Sequence, residues 1–404
     1  MKQKHSGFAL AAHIAVFLSF GLAACDTPRS HADMVVLDSH LDTPLVLDRS
    51  GFDITRRHDW MNDYVQVDLP RMKQGGLDGG FWVIYTAQGP LTDGGYAKAL
   101  AHARHRNGVI DELLRAHGDQ FALALEADDA ARIKAAGKRV VYKSIENAYP
   151  LGMNIDLLDE FYDAGVRMVG LVHSKNNQFA DSATDLSGQK WGGLSPLGRQ
   201  LIARANKLGM IVDMSHAHDE ALAQAIALSK TPIILSHSGA GFLFKHPRNV
   251  PSGLLRELAQ SGGVIQINSL SAYLRKLDTH PNRLPEFIDL YRKYQNMPGG
   301  MRQNHAAFID ERRALDKKYP PKYAEFSDVL AHIFFALELM GAEHVGIGLD
   351  WDGGGGVNGL QDVSDLPKIT EALRAQGVSW RTIEKVWGGN MLRLLKQAQD
   401  NRSR

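Results

Sequence analysis

Eight short apolar, β-branched runs recur along the chain, separated by stretches with helical periodicity, and this alternation is what parallel strands joined by crossover helices require. They fall at residues 34–38, 80–85, 139–142, 166–172, 210–213, 232–235, 263–267 and 344–348, and a ninth run at 121–125 reads as an extra edge strand. Intervening segments such as 197–208 and 254–259 carry apolar residues at helical spacing and are followed by Gly209 and Gly262, residues suited to helix stops. Eight βα units predict an α/β fold closed as a (β/α)8 barrel. An open doubly wound sheet has the same local pattern, so periodicity alone does not separate the two.

No Gly/Ser-rich or Pro-rich linker divides the chain, and no fixed-period repeat stands out beyond the βα alternation, so residues 34–399 read as one domain. The exception is an excursion at about 271–327, polar and without strand pattern, holding Pro281, Pro285, Pro298, Pro320 and Pro321. Helices are expected within it at 290–294 and 305–315, and a lid, a subunit contact and solvated padding are all open roles. The balance of 46 Lys and Arg against 45 Asp and Glu gives a net charge of +1, which excludes a strong one-signed field for holding nucleic acid. The expected partner is a small molecule.

One cysteine in 404 residues excludes an intramolecular disulfide and any cysteine-rich zinc cluster, so a metal site here must use histidine and carboxylates. Lys2 and Lys4 precede an apolar run from Phe8 to Ala24 that reads as a secretory signal, being too short and too rich in small residues for a membrane span. The run ends Leu22-Ala23-Ala24-Cys25, which resembles the bacterial lipobox, whose cysteine is lipidated and becomes the new N-terminus. The expectation is a signal peptide at 1–24, a lipidated tether at 25–33, and an extracytoplasmic protein held to a bacterial membrane on its periplasmic side through Cys25.

The residues that follow the strands are unusual for turns. The first run leads to His40 and Asp42, the third to Glu146, the fourth to His173, the fifth to His216, the sixth to His237 and the eighth to Asp350. In an α/β barrel the C-terminal strand ends converge on one mouth, so these groups would face one another there. A lone histidine at a strand end is more often structural, and His-x-Asp occurs three times in this chain, at His31, His40 and His117. Only His40 and Asp42 close an apolar strand, where alternation points both side chains one way. Three imidazoles with an Asp and a Glu exceed one tetrahedral zinc and suit two metals, with Glu146 the natural bridge. Two such cations about 3.5 Å apart would hold a shared water and lower its pKa toward neutrality, which points to hydrolysis by hydroxide.

These residues resemble the zinc membrane dipeptidases, the family of renal dipeptidase, and its bacterial branch in particular. The likeness rests on Leu37-Asp-Ser-His-Leu-Asp42, Gly79-Gly-Phe-Trp82, Glu146-Asn147, Arg167-Met-Val-Gly-Leu-Val-His173, Asn176-Asn177 and Gly193-Leu-Ser-Pro-Leu-Gly198. It continues through Leu208-Gly-Met-Ile-Val-Asp-Met-Ser-His216, Ser236-His-Ser238, Pro247-Arg-Asn249, Gly262-Gly263, Gly346-Ile-Gly-Leu-Asp-Trp-Asp-Gly353 and Gly388-Gly-Asn390. The resemblance implies two zinc ions per chain, one on His40, Asp42 and Glu146, the other on Glu146, His216 and His237. It also implies that His173 contacts substrate, that Arg248 binds the substrate carboxylate and that Asp350 is catalytic, with dipeptides as substrates and a homodimer as one open assembly. Glu146-Asn-Ala-Tyr-Pro150 and the long excursion depart from the mammalian members and bear on substrate range.

Other enzymes remain as alternatives. A barrel amidohydrolase such as a lactonase or deaminase would more often show His-x-His on the first strand, and a non-catalytic solute-binding lipoprotein would show two lobes. The Gly353-Gly-Gly-Gly356 run lacks the Lys-Ser/Thr of a phosphate loop and reads as a flexible rim loop. His218 is set aside in favour of His216 as a ligand, and His31, His117 and the helical histidines read as surface groups.

Overall fold

The computed structural model describes residues 29–403. The signal peptide and Cys25 therefore lie outside the described residues. Ten strands form one parallel arrangement: β1 (Leu37–Leu41), β2 (Gly79–Tyr85), β3 (Phe121–Leu123), β4 (Arg139–Glu146), β5 (Val166–Gly170), β6 (Ile211–Asp213), β7 (Ile234–Ala240), β8 (Asn249–Val250), β9 (Val264–Ile267) and β10 (Val345–Ile347). Eight of them follow the order β1-β2-β4-β5-β6-β7-β9-β10, while β3 flanks β4 and β8 flanks β7. The sheet curls until its ends meet. Asp42 N donates to Trp351 O at 2.9 Å and Ser39 Oγ to Ile347 O at 3.2 Å, bringing β1 beside β10. The eight-stranded parallel barrel is thus nearly closed, and the open sheet is set aside.

Every one of the eight runs became a barrel strand, and the ninth became β3, paired to the outer side of β4 from Phe121↔Arg139. Boundaries shifted where polar residues continue a strand. β1 begins at Leu37 and carries His40 inside it, β4 runs on to Glu146, and β7 reaches Ala240 with His237 at its middle. The ladder partners supply the missing propensity: Ile84↔Ile145 and Tyr85↔Glu146 extend β4 by pairing with β2.

One apolar cluster closes the opposite end of the barrel from these polar groups. Leu37, Ile211, Ile234 and Val264, each the first residue of its strand, cluster with Met391, Leu394 and Leu395 of the C-terminal helix Asn390–Asp400. Chemistry at the C-terminal strand ends and a sealed apolar floor at the other is the division expected of such barrels. Close approach between strands needs glycine at Gly79, whose φ is +147° and where an added Cβ would stand 2.0 Å from Val140 O.

The excursion is mostly helical, with helices Arg283–Asn296 and His305–Lys318 forming a hairpin around a small core of Tyr294, Phe308 and Ile309. It docks on the segment after β1: Ser50 N donates to Arg302 O at 3.0 Å and Tyr64 OH to Asp316 Oδ2 at 2.6 Å. Among the described residues no helix is long and apolar enough to cross a membrane.

Three expectations about surface groups are corrected. His332, on helix Phe326–Met340, is buried and accepts from Ala240 N at 3.0 Å. His31 is held between Thr370 Oγ1 at 2.7 Å and Gly75 O at 3.0 Å. The glycine run at 353–356 is at the rim but is pinned, since Gly356 N donates to Ser269 Oγ at 2.8 Å and Gln66 Nε2 to Gly355 O at 2.9 Å. Backbone polar groups buried at a rim must find partners, and these supply them.

Candidate metal centre

Glu146 is the hub. Its Oε1 lies 3.0 Å from His216 Nε2 and 3.6 Å from both His173 Nε2 and His237 Nε2, and its Oε2 lies 3.6 Å from His40 Nε2. His40 Nε2 is also 3.5 Å from Asp42 Oδ2. The backbone explains how Glu146 is presented. Asn147 takes φ +71°, a left-handed conformation that asparagine tolerates, and so ends β4 one residue past the carboxylate. Its side chain donates to Thr86 O at 2.9 Å and accepts from Asn177 Nδ2 at 3.0 Å, which gives Asn177 a structural task.

One imidazole arrives with its proton assigned. His237 Nδ1 donates to Ser236 Oγ at 2.8 Å, and Ser236 Oγ donates to Asp213 Oδ2 at 2.6 Å. That relay leaves His237 Nε2 with a bare lone pair facing His216 Nε2 at only 2.8 Å. Burial, reinforced by the Arg248 charge, pushes His216 well below its ordinary range, and burial with the charge of His40 does the same to His237. His216 Nε2 faces that lone pair and, at 3.0 Å, Glu146 Oε1, and with one proton at most it can satisfy only one of the two, so a cation among them would satisfy all three. Further atoms are orphaned in the same place: His40 Nδ1 and Nε2, Asp42 Oδ1 and His216 Nδ1 are buried without a hydrogen-bond partner. The donor set therefore fits metal, and it is oxygen and nitrogen throughout.

Carboxylate charges shape the rest. Burial opposes charge on His40, but Glu146 and Asp42 outweigh it and raise His40 well above its usual value. Burial would likewise raise Glu146, yet His40, His173 and the hydrogen bond from His216 hold it well below the carboxylate range. Asp350 goes the other way, raised first by burial and then by Asp42 and Glu146. It sits at φ +65°, and His40, Asp42 and Asp350 offer ligand atoms within 4.8 Å of one another. Gly353 makes room for them, since a Cβ there would stand 2.0 Å from Asp42 Oδ2 and 2.4 Å from Asp350 Oδ1.

His173 differs from the other three imidazoles in exposure. Its side chain is 22% exposed, against 2% for His40 and His237 and 8% for His216, so it lines the open mouth. Arg248, 2% exposed, donates to Ser215 O and to His237 O, the latter at 3.0 Å, and its guanidinium stands 5.4 Å from the Tyr273 ring. Among the described residues it has no carboxylate partner within 4 Å.

The structure thus brings His40, Asp42, Glu146, His173, His216, His237, Arg248 and Asp350 to one mouth. His218 stays outside, hydrogen-bonded with Gln189 at 2.9 Å.

A comparison with known protein families matches residues 27–404 to the membrane dipeptidase family, peptidase family M19. The chain belongs to that family. Dipeptidase tcpJ of Claviceps purpurea is 32% identical over 340 residues, covering 83% of this chain and 69% of the relative. Among solved structures, the probable dipeptidase PvdM of Pseudomonas aeruginosa superposes with a TM-score of 0.77 at 30% identity, covering 92% of this chain and 98% of that one. Dipeptidase AC, a metallopeptidase, gives a TM-score of 0.72 at 26% identity over 90% of this chain and 98% of its own. The chain is a dipeptidase of the M19 metallopeptidase type, as the motif resemblance implied.

Sequence reasoning missed four supporting groups. Asp213 and Ser236 set the His237 tautomer, and Asp213 could have been found because it ends the strand that leads to His216. Tyr85 closes β2 and packs edge-on to His173 with ring centroids 4.9 Å apart, so the strand-end criterion would have reached it too. Tyr273 comes from the short helix Ser271–Leu274 after β9, where no periodic signal marks it.

Proposed function

We propose that this member of the family is a dinuclear zinc dipeptidase that hydrolyses dipeptides bearing a free C-terminal carboxylate and acts from the outer face of a bacterial membrane. The carrying observation is the convergence of four imidazole Nε2 atoms on the Glu146 carboxylate within 3.6 Å. His40 and Asp42 would hold one ion, His216 and His237 the other, and Glu146 both. When bound, such a pair acidifies a shared water and polarises the scissile carbonyl.

The chain's own residues do the remainder. Arg248 receives the carboxylate end of the substrate in two charge-assisted hydrogen bonds. His173, facing the mouth, stabilises negative charge developing on the carbonyl oxygen. The Asp350 carboxylate accepts the proton of the attacking water and returns it to the departing amine nitrogen. Tyr85 and the buried walls limit the water that reaches these groups.

The purified protein is expected to carry two zinc per chain by elemental analysis and to cleave Ala-Ala, with cleavage lost on chelation and restored by zinc. A metal-free protein that turns over Ala-Ala at full rate would overturn the metal reading. Cleavage of a lactone or a nucleobase amine, with dipeptides untouched, would favour another barrel amidohydrolase.

The membrane arm of the proposal rests on the Leu22-Ala-Ala-Cys25 pattern. Cys25→Ser is expected to abolish labelling by a fatty-acid analogue and to move the protein from the membrane to the soluble extracytoplasmic fraction. Undiminished labelling in that variant would remove Cys25 as the lipid site.

A further inference from the structure

The segment that leads into β1 is stapled to the floor of the barrel, the end opposite the metal centre. Lys134, from helix Asp129–Ala135, holds it: its Nζ donates to Ala32 O at 2.8 Å, Met34 O at 2.5 Å and Asp78 Oδ2 at 2.7 Å. All three hydrogens of the ammonium are thereby used. Asp78 also accepts from Val36 N at 2.9 Å, and since Val36 directly precedes β1 and Asp78 directly precedes β2, the clamp lies at the strand starts. His31 adds a second fixing point, bonded to Thr370 Oγ1 and Gly75 O and packed edge-on to Trp387 with ring centroids 5.1 Å apart. Trp387 belongs to the helical turn Lys385–Gly389, which passes under β1: a Cβ on Gly388 would stand 2.8 Å from Val35 O. Arg29 emerges there exposed, its Nη1 meeting Glu384 Oε2 at 3.1 Å.

The length of chain ahead of that point decides which way the barrel can face. From Cys25 to Arg29 the backbone spans at most about 14 Å in any conformation. The barrel is taller. Its strand β4, 8 residues long and tilted as barrel strands are, rises about 20 Å along the axis from floor to mouth. A lipid on Cys25 therefore cannot reach the plane of the mouth, and a surface that holds that lipid must lie against the floor. The floor suits such a surface. The C-terminal helix Asn390–Asp400 lies across it with Lys396 exposed, and Lys207 and Lys230, also exposed, stand just ahead of β6 and β7. Leu228, near Lys230 in the chain, is 39% exposed. Exposed ammonium groups with an apolar neighbour are what anionic headgroups attract.

We propose that the barrel floor is the face this protein lays on a lipid surface, with Lys207, Lys230 and Lys396 toward anionic headgroups and the metal mouth turned to the aqueous side. The proposal rests on the lipid-anchor reading above and extends it. Substrate then enters from solution, and turnover does not depend on the membrane.

The test is lysine footprinting. The wild-type protein on vesicles of phosphatidylethanolamine and phosphatidylglycerol is treated with an amine-acylating reagent, beside the soluble Cys25→Ser protein, and mass spectrometry reads each lysine and the lipid on Cys25. Lys207, Lys230 and Lys396 are expected to be labelled about threefold less, or lower still, on vesicles. Lys175 and Lys190 should keep their reactivity, because they are exposed on the loop after β5, which Ser182 Oγ ties to His173 O at 2.6 Å beside the mouth. The kcat/KM for Ala-Ala should be the same on vesicles as in soluble Cys25→Ser. Shielding of Lys175 and Lys190 instead, or equal labelling of the two groups in a lipidated, vesicle-bound chain, would overturn the floor as the docking face and leave the anchor reading standing. A chain without lipid on Cys25 that still shows the floor protected would keep the docking face and overturn the anchor reading. A chain without lipid that binds no vesicle would overturn both.

Discussion

Replacing Glu146 with glutamine is expected to cost the protein at least one metal and to lower dipeptide turnover by about a thousandfold or more, equivalent to about 4 kcal/mol of transition-state stabilisation. The size follows from position. Both oxygens of Glu146 are committed, Oε1 toward His173, His216 and His237 and Oε2 toward His40. A glutamine would keep the shape, remove the negative charge, and turn one of those oxygens into an NH2 whose hydrogens point at imidazole lone pairs or at a cation. If two divalent ions are bound as proposed, the loss of a full charge between them would leave them repelling one another with only Asp42 as anionic ligand. Because Glu146 is buried, water does not screen that repulsion. Elemental analysis should therefore find fewer than two zinc per chain, and the circular dichroism spectrum should stay native, since the β4 ladder depends on backbone pairing. A Glu146→Gln protein with two zinc and near-normal turnover would remove Glu146 as the bridge.

The parts of this site that could be read in the sequence are those that strand ends announce. Period and β-branching marked all eight barrel strands, because a parallel strand covered on both faces must be apolar along its length. A histidine or carboxylate just past such a run then stands out against the glycine, asparagine and serine that turns normally use. His40, Glu146, His216, His237 and Asp350 were found that way. The same rule misplaced them slightly, since His40 and His237 lie within strands and are held there by neighbours on adjacent strands that no local pattern reveals. Groups that act through tertiary relay were harder still. Ser236 gains its meaning from Asp213, 23 residues earlier in the chain, at 2.6 Å. The excursion lacked strand character and was legible as helices only in part, because its hairpin core of Tyr294, Phe308 and Ile309 is completed by contacts with the segment after β1. His332 read as a surface group because its helix shows a polar residue at that position, yet its ring serves the backbone of β7.

Changing Arg248 to lysine should leave turnover of bound substrate nearly intact while raising KM for dipeptides by about thirtyfold to a hundredfold, the effect of about 2–3 kcal/mol. Lysine keeps the charge but presents a single ammonium in place of a planar fork, so it can satisfy one carboxylate oxygen and not two in parallel. The fork is fixed before substrate arrives: Arg248 already donates to the Ser215 and His237 carbonyls, and those bonds hold it beside His216, 3.3 Å from Nε2. A guanidinium anchored this close to His216 would set one distance from carboxylate to scissile carbonyl, a span that a dipeptide matches. Longer peptides would place an internal amide where Arg248 expects an anion. C-terminally amidated dipeptides should fail for the same reason, leaving a buried cation without its partner at a cost of about 2–5 kcal/mol. Asp350→Asn should separate cleanly from Arg248→Lys, keeping both metals and KM while slowing turnover by about a hundredfold or more, because it removes the proton carrier and not the anchor. Steady-state kinetics on Ala-Ala, Ala-Ala-amide and tetra-alanine would decide it: comparable rates on all three, or a silent Arg248→Lys, would show that carboxylate distance does not set the substrate.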